Sequence, residues 1–392
     1  MLASYFADLH VHVGKDMYNQ PVKITASSKL TITNILKNAS RTKGIPLIGV
    51  IDCHAPAVQQ ELYSLIEENQ AYELADGGVR FEHVTLLLGA EIEIYDDHCK
   101  GPIHILCFFP TLDKIATFTQ WFKQRVTNVT LSSQRYYGSA IELQEVVKAL
   151  DGLFILAHVF TPFKSAYGKG VRKSLAEVFD LMMINGIEIG LSADIEMADH
   201  IQELHPFTYV TNSDAHSLQK IGREYQEIRM KEPSFHEFAL ALAQKEGRSI
   251  VKHFGLHPKL GKYYHTVCSF CGEQMMANQK ECPNCHQHKR IKGVTDRIAE
   301  LTDPNTLKPS RPPYIYQVPL EYLPGIGPKT YDKLIEKFST EMNVIHSVPY
   351  DKLIEVVRPN VAQMILDMRA GKLAIEAGGG GVYGKVKLEK DE

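Results

Sequence analysis

The sequence lacks the long apolar segments of a membrane protein: no run reaches the roughly 18–20 residues that a membrane-spanning helix needs. Its start lacks the basic and apolar regions of a secretion signal, so we expect a cytoplasmic protein. It also lacks the bias of a disordered chain, because 44% of its 392 residues are hydrophobic and 23% are charged. We find no internal repeat, and the length predicts two or three domains.

Net charge is nearly absent, at a formal −3, but the two parts of the chain differ. Residues 1–250 contain 23 basic and 30 acidic side chains, whereas residues 251–392 contain 20 basic and 16 acidic ones. A basic rear part favours a polyanion-binding appendage on a mildly acidic body, although surface solvation alone produces the same bias.

Short apolar runs alternate with amphipathic stretches through residues 1–250, which predicts a parallel α/β domain, either a barrel or a doubly wound sheet. The predicted strands are 4–9, 46–51, 84–94, 103–109, 153–157, 186–190 and 209–212, and the predicted helices are 31–42, 57–73, 113–126, 139–149 and 175–185. A metal-binding module is predicted over 251–302, and a proline-rich linker with a helical domain over 303–392. Four glycines at 378–381 predict a hinge, in a stretch that lies outside the residues the structure describes.

Polar side chains with metal-binding capacity are concentrated at the ends of the apolar runs. In the motif DLHVH, Asp8, His10 and His12 point to the same side of an extended strand. Similar side chains recur at Asp52, His54, Glu91, Glu93, His104, His158, Asp214 and His216. Since strand ends of a parallel α/β domain meet on one face, we predict a site for Zn²⁺, Mn²⁺ or Fe²⁺ there.

The seven cysteines are an odd number in a chain without an export signal, which argues against a disulfide framework. Four of them form the pattern C-x2-C-x10-C-x2-C, at Cys268, Cys271, Cys282 and Cys285. Four thiolates complete a tetrahedral zinc site, so we predict a structural Zn²⁺. Basic residues around it, such as Arg290, suit contacts with phosphate, and a solvated basic rim is the alternative.

A third motif, LPGIGPKT at 323–330, precedes an amphipathic stretch. Gly325 and Gly327 permit a tight turn whose backbone N–H groups face a phosphate at a helix start, and Lys329 adds charge. The motif resembles the hairpin of helix-hairpin-helix DNA-binding modules; a plain helix–loop–helix turn is the alternative.

The motifs DLHVH, IDCH, GAE, AHVF and NSDAH, in this order, resemble those of the polymerase-and-histidinol-phosphatase (PHP) superfamily. The resemblance implies a distorted seven-stranded (β/α) barrel that binds up to three metal ions for phosphoester hydrolysis. It implies one metal ion on His10, His12, Glu91 and Asp214, a second on Glu91, His104 and His158, and a third on His54 and His216. Where many relatives have a further histidine, this chain has Tyr18, and Asp16 or Asp52 would have to compensate.

Closely spaced divalent ions lower the pKa of a bridging water and stabilise negative charge on a phosphoryl group, so no Ser or Cys nucleophile is needed. We predict Asp8, Glu91 and Asp214 as catalytic carboxylates. Zn²⁺ is expected in the four-cysteine site and in the barrel, with Mg²⁺ or Mn²⁺ as alternatives in the barrel.

The order of a PHP domain, a four-cysteine module, a GIG hairpin and a terminal GGGGVYGKV resembles the endonuclease Q family over essentially the whole chain. The resemblance implies nicking of DNA 5′ of uracil, hypoxanthine, xanthine and abasic sites. Arg135, Lys164 and Lys169 are candidates for contacts with the phosphates of the scissile strand, and solvated loop charges are the alternative. The candidates for stacking on the lesion are Tyr136, Tyr137, Tyr167, Tyr263, Tyr264, Tyr314 and Tyr316.

Two rival functions remain open from the sequence. One is a PHP phosphatase that acts on a small phosphomonoester. The other is a non-enzymatic DNA-binding adaptor whose barrel has lost its metal ions.

Overall fold

The computed structural model of the protein describes residues 1–261, 263–276, 279–304 and 307–373, and the backbone of two short strands beyond them. The strands are β1 (Ala3–Val11), β2 (Leu47–Val50), β3 (Ala71–Glu73), β4 (Val79–Phe81), β5 (Val84–Ile94), β6 (Ile103–Phe109), β7 (Arg135–Tyr136), β8 (Leu153–Leu156), β9 (Gly186–Glu188), β10 (Tyr209–Val210), β11 (Tyr225–Met230), β12 (Ser249–Gly255), β13 (Val267–Cys268), β14 (Arg290–Ile291), β15 (Tyr314–Tyr316), β16 (Ile375–Glu376) and β17 (Lys385–Val386). The α-helices are α1 (Ile32–Asn38), α2 (Pro56–Glu67), α3 (Leu112–Phe122), α4 (Ala140–Ala149), α5 (Ile195–Ala198), α6 (Phe235–Leu242), α7 (Val294–Leu301), α8 (Pro328–Phe338), α9 (Glu341–His346), α10 (Tyr350–Leu353) and α11 (Pro359–Arg369).

Seven strands form a strongly curled sheet in the order β10-β9-β8-β6-β5-β2-β1. The sheet nearly closes on itself, because Ala215, just after β10, forms a parallel bridge with Val11 of β1. Two backbone hydrogen bonds make this seam, from the His12 N–H to the Ala215 carbonyl and from the Ala215 N–H to the His10 carbonyl. The predicted α/β fold class, a distorted seven-stranded barrel followed by a helical region, is confirmed.

The expectation of an all-parallel sheet is wrong at β6, which runs antiparallel to both β5 and β8. The connection from β5 to β6 contains no helix, so the chain turns back as a hairpin. The reversal places the first residues of β6 beside the last residues of β5, with Glu93 opposite His104. His104 therefore reaches the same rim as the carboxyl ends of the parallel strands.

The predicted helix 175–185 is also wrong: the segment forms two short 3₁₀ turns, Leu175–Glu177 and Leu181–Met183. The backbone of Asp180 forms two hydrogen bonds with the side chain of Gln144 in α4, which interrupts a helical ladder. The helix predicted at 57–73 ends earlier, at Glu67, and the chain continues into β3.

Apolar packing inside the barrel supports the site from below. Leu87, Leu106, Phe108 and Ile155 belong to one fully buried cluster. Glu91 lies four residues after Leu87 on the same side of β5. On the antiparallel β6, His104 lies four residues before Phe108 and on the same side. The polar side chains of the site therefore cap an apolar interior.

The large sheet continues beyond the barrel, where β11 pairs with β1, β12 with β11, and β15 with β12. The helical region α8–α11 packs against this side, with a buried ion pair between Lys43 Nζ and Glu341 Oε2 at 2.5 Å. The Tyr225 hydroxyl lies 2.6 Å from His346 Nε2. None of the helices in the described ranges has the length and apolarity that crossing a membrane requires.

Candidate metal centre and nucleic-acid interface

The Glu91 carboxylate lies at the centre of four histidines at the barrel rim. Its Oε1 is 2.8 Å from His104 Nδ1, 3.4 Å from His158 Nε2 and 3.5 Å from His10 Nε2. Its Oε2 is 3.7 Å from His12 Nε2. The structure therefore brings together, around one carboxylate of β5, histidines from three other strands or strand ends: β1, β6 and β8.

Asp214 lies on the other side of the first two histidines, with its Oδ1 3.4 Å from His10 Nε2 and 3.5 Å from His12 Nε2. Two groups of potential ligands result: His10, His12 and Asp214 in one, and Glu91, His104 and His158 in the other. Within each group the ligand atoms lie within 4.8 Å of one another. The structure thus brings together the side chains that the family resemblance implies for the first two metal ions, and the binding of metal by them stays a prediction.

Buried carboxylates orient the two histidines of the first motif. His10 Nδ1 lies 2.9 Å from Glu188 Oε2, and His12 Nδ1 lies 3.1 Å from Asp52 Oδ2. Each ring therefore turns its Nε2 towards the centre of the site. Carboxylates in this position behind a ligating histidine fix its tautomer and raise its basicity.

The ring nitrogens that face the centre of the site test whether it fits a metal ion. The Nε2 atoms of His10 and His12 face Glu91 and Asp214, are buried and have no hydrogen-bond partner. The unpartnered nitrogens of His104 and His158 point away from Glu91, because His104 Nδ1 and His158 Nε2 face its Oε1. An unpaired buried polar atom costs free energy, so the two neighbouring Nε2 atoms fit a bound metal ion. Imidazole nitrogens together with carboxylate oxygens suit Zn²⁺ or Mn²⁺.

Electrostatics keep the two central carboxylates ionised. Burial alone would raise the pKa of Glu91, but His104 and Lys23 together with hydrogen bonds from His10 and His104 hold it well below its usual value. Burial alone would also raise the pKa of Asp214, but the neighbouring His10, His12 and His216 hold it well below the usual range. Both carboxylates are thus available as anionic ligands.

Backbone strain coincides with this site. His158 and Asp214 have positive φ angles of 30° and 47°, which are uncommon for residues with a side chain. Such conformations persist where the surrounding fold enforces them, and they cluster at functional positions. Both residues follow a strand end, so the unusual turn directs the side chain into the cluster.

Three of the predicted site residues lie outside the two groups. Asp8 is fully buried and accepts hydrogen bonds from the backbone N–H groups of Ser213 and Gly222, at 3.0 Å and 2.8 Å. His54 Nε2 lies 3.3 Å from the carbonyl of Leu131. His216 is half-buried, with its Nδ1 3.5 Å from Asp214 Oδ1.

Sequence reasoning missed Glu188 and Lys23. Glu188 had a detectable signal, a carboxylate in the apolar strand sequence GIEIG at 186–190. It also accepts hydrogen bonds from the Asn212 side chain at 2.8 Å and from the His158 N–H at 3.1 Å. Lys23 had no such signal, because it belongs to an irregular segment and reaches Glu91 only in the folded chain.

The four clustered cysteines converge in a separate small module. The Sγ atoms of Cys268 and Cys285 are 3.5 Å apart, as are those of Cys271 and Cys282. These separations are too long for disulfides and approach the roughly 3.8 Å edge of a tetrahedron with about 2.3 Å Zn–S bonds. Backbone N–H groups of Cys271 and Phe270 lower the pKa of Cys268 to about 6, which favours a thiolate ligand.

The chain is similar to a bacterial protein and to a solved archaeal structure over nearly its whole length. A scan against protein-family models finds no match. The chain is 50% identical, over 97% of its length and 99% of the relative's, to the uncharacterized protein YqxK of Bacillus subtilis (strain 168). It is 31% identical, at a TM-score of 0.84, to the crystal structure of the lesion-specific endonuclease PfuEndoQ from Pyrococcus furiosus, with 98% of this chain and 96% of that one covered.

The chain belongs to the endonuclease Q family. A second solved structure, endonuclease Q in complex with a 27-mer duplex substrate that has an abasic lesion at the active site, has the same identity of 31% and TM-score of 0.84. It covers 99% of this chain and 97% of that one. The predicted family and the predicted enzyme class, a hydrolase of the endonuclease type, are therefore confirmed.

Two of the predicted DNA contacts of this endonuclease Q member border the two ligand groups. Arg135 of β7 lies opposite Glu93 of β5 in the strand register. Its guanidinium lies between the rings of Tyr95 and Tyr137. Lys164 Nζ is 2.9 Å from Glu93 Oε2, and its side chain is 50% exposed. Both cations thus remain at the surface beside the cluster.

The remaining predicted contacts lie elsewhere on the exposed surface. Lys169 is in a short π-helix at Ala166–Gly170, and Arg290 is in β14 of the cysteine module. Gly325 has a φ of 94°, and Gly327 is the N-cap of α8 with space around its Cα. Lys329 is exposed in the first turn of α8, and a short 3₁₀ turn at Leu320–Tyr322 precedes the glycines. The phosphate contact of this turn stays a prediction.

The aromatic candidates divide by burial. Tyr136 and Tyr167 are buried at 1% and 0% exposure, so they serve packing. Tyr137 is 60% exposed, and Tyr263 packs edge-on against the exposed Phe163 with ring centroids 5.3 Å apart. Tyr263 also lines a cleft of about 180 Å³ together with His158, Asp214 and Ser192. The cleft opens directly beside the metal-competent groups.

Proposed function

We propose that the protein is a metal-dependent DNA repair endonuclease that hydrolyses the phosphodiester bond 5′ of deaminated bases (uracil, hypoxanthine, xanthine) and of abasic sites. The full-length similarity to endonuclease Q carries this proposal. The paired ligand groups around Glu91 support it, because they give the barrel the donor set of a binuclear hydrolase. A repair enzyme of this kind is expected in the cytoplasm.

The chemistry needs a water that is activated near neutral pH and a phosphoryl group whose charge is neutralised. Bound divalent ions supply both functions. His10, His12 and Asp214 would hold one ion, and Glu91, His104 and His158 the other, with Glu91 between the two groups. Glu188 and Asp52 keep the first two imidazoles in the tautomer that presents Nε2.

The chain's own cations would hold the scissile strand. Arg135 and Lys164 flank the cluster. The ion pair with Glu93 keeps Lys164 in position, and the rings of Tyr95 and Tyr137 keep Arg135 in position, without burying either cation. Phosphates of the scissile strand would bind these groups, because charge-assisted contacts fix the register of a nucleic acid. A sequence-independent contact of this kind suits an enzyme that recognises a lesion rather than a sequence.

The cleft beside the cluster would receive the extruded nucleotide. Tyr263 and the polar side chains of Ser192 and Thr161 line it, together with His158 and Asp214 of the ligand groups. Extrusion of a base costs a few kcal/mol, and the cost is lowest where the base is mispaired or absent. This cost difference supports a preference for damaged over intact duplex.

The decisive experiment incubates the purified protein with end-labelled duplexes that carry one uracil, one hypoxanthine, one abasic site or no lesion. The reactions contain Mg²⁺ or Mn²⁺, with a chelator in parallel samples. We expect one cut on the 5′ side of each lesion, none in the undamaged duplex and none with chelator. Phosphate release from a small phosphomonoester without nicking would instead support a phosphatase, and DNA binding without hydrolysis would support an adaptor.

A further inference from the structure

Lys23 brings a positive charge into the metal-competent cluster from outside the strands. It lies in the segment between β1 and α1, where its N–H donates to the carbonyl of Val13 at 2.9 Å. Its side chain is 16% exposed. Nζ lies 3.1 Å from Glu91 Oε2 and 2.6 Å from Ser133 Oγ, so the ammonium contacts the carboxylate that joins the two ligand groups.

Both carboxylate oxygens of Glu91 therefore have polar partners. Oε1 faces His104 and His158, whereas Oε2 accepts from Lys23 and contacts Ser133 Oγ. Ser133 has a positive φ of 54°, and its neighbour Ser132 lies 3.2 Å from His12 Nδ1. The ammonium is thus held at Glu91 Oε2, on the side of the carboxylate that faces His12, whereas His104 and His158 contact Oε1.

The residues around this side do not fit a third divalent ion. Tyr18, at the position where the family resemblance leads one to expect a histidine, is 53% exposed. Asp16 instead accepts hydrogen bonds from the backbone N–H groups of Tyr18 and Gln20, both at 2.9 Å. His54 retains an unpartnered Nδ1, but its Nε2 faces the Leu131 carbonyl and no third side chain joins it and His216 in a ligand group among the described residues.

We propose that the Lys23 ammonium is the third cation of this centre, so that the barrel takes two divalent ions and not three. The inference rests on the metal centre of the proposed function but not on its substrate. Glu91, Asp214, Asp52 and Glu188 are four carboxylates within the cluster, with side chains that are 1%, 31%, 0% and 1% exposed. A fixed positive charge among them reduces their demand for divalent ions.

The first test counts metal ions in the wild-type protein and needs no variant. The protein is saturated with Mn²⁺, passed through a desalting column and analysed for all metals by mass spectrometry. We expect three ions per chain, two in the barrel and one in the four-cysteine module. Four ions per chain would overturn the proposal, because the barrel would then hold three.

The second test removes the charge with Lys23→Met and measures Mn²⁺ affinity by competition with a chelator. A third cation that is lost leaves an uncompensated negative charge, so we expect the barrel ions to bind at least about tenfold more tightly, or a further ion to bind. If Lys23 merely positioned Glu91, its loss would weaken binding. Unchanged or weaker binding therefore contradicts the proposal.

Two further variants serve as controls for this predicted increase in Mn²⁺ affinity. Lys23→Arg keeps the charge and should retain the wild-type number of ions, whereas Lys29→Met removes an exposed charge from the same segment and should leave the affinity unchanged. None of these measurements involves DNA. A protein that nicks damaged duplex but holds three barrel ions would refute the role of Lys23 alone, and one that binds ions as expected but fails to nick would refute the proposed function alone.

Discussion

The barrel cluster and the cysteine module are both suited to metal ions, but they are built in opposite ways. The module draws its four ligands from residues 268–285, and four identical thiolates would close a tetrahedron without an open position. The barrel draws mixed nitrogen and oxygen ligands from residues 10–214, on strands that meet only after folding. A closed sulfur site suits structure, whereas an open mixed site suits catalysis.

The surroundings differ as well. In the barrel, Glu188 and Asp52 contact His10 and His12 from behind, so buried side chains outside the two ligand groups set the geometry. In the module, backbone N–H groups near Cys268 lower the pKa of its thiol. The apolar cluster of the module is small, and among the described residues Met275 is its one buried member besides cysteines. The barrel site depends on the fold, whereas the fold of the module depends on its site.

The largest effect is expected from loss of a barrel ligand. His10→Ala or Asp214→Asn should abolish nicking of a uracil-containing duplex, since each removes a side chain from the group around the first ion. Zinc in the four-cysteine module should remain at one ion per chain, measured by elemental analysis. The control is His98→Ala, an exposed histidine outside the site. Full turnover by either ligand variant would remove the metal-based mechanism.

The next largest effect is expected from Cys271→Ser. Because small metal modules fold with their ion, the variant should lose one zinc per chain and become sensitive to protease around residues 263–291. The barrel ions should be retained, and DNA affinity should fall because Arg290 loses its fixed position. Ser269→Ala is a matched control in the same turn. If protease resistance survived the loss of zinc, the distinction between the two sites would be wrong.

A smaller effect is expected from Glu188→Gln, which keeps the size of the side chain but removes the charge behind His10. Metal affinity or activity should fall by roughly 10–100-fold. Nicking rates at several Mn²⁺ concentrations distinguish a loss of metal affinity from a loss of activity in the metal-loaded enzyme. If affinity is what falls, excess metal should restore much of the activity. Glu61→Gln, a buried glutamate bonded to Thr33 on the outer side of the barrel, should behave as wild type. An unaltered Glu188→Gln enzyme would show that the fold alone positions His10.

The smallest effect concerns His346, which belongs to neither metal site and so gives a reference for acid sensitivity. Burial, with the charges of Arg369 and Lys252, lowers its pKa to about 4. The unfolded chain takes up this proton near pH 6.5, whereas the folded protein does so only near pH 4. The stabilisation is therefore complete above pH 6.5 and falls with pH, by about 2 kcal/mol at pH 5.

Urea unfolding of the wild type and of His346→Gln, at several pH values between 7 and 5, measures this effect. The free energy of unfolding of the variant should depend less steeply on pH, while metal loss affects both proteins alike. His98→Gln serves as the exposed control. Parallel curves for His346→Gln and the wild type would mean that the pKa of His346 is the same in the folded and unfolded states.

Much of the fold and of the site was predictable, because local patterns carried it. The apolar runs located the barrel strands, and the motifs that follow them supplied His10, His12, Glu91, His104, His158 and Asp214. The spacing of the cysteines predicted their convergence. The prediction was wrong where a distant partner decides, as at 175–185, where Gln144 binds the backbone of Asp180.

The sequence by itself determined which side chains have the chemistry to bind metal and in which order the strands carry them. Tertiary structure decided how they meet. It reverses β6 so that His104 reaches the common rim, places Glu188 behind His10, and brings Lys23 from a loop onto Glu91. The physical reason is that hydrogen bonds and charge pairs act over a few ångströms in space, whatever the number of residues between the partners.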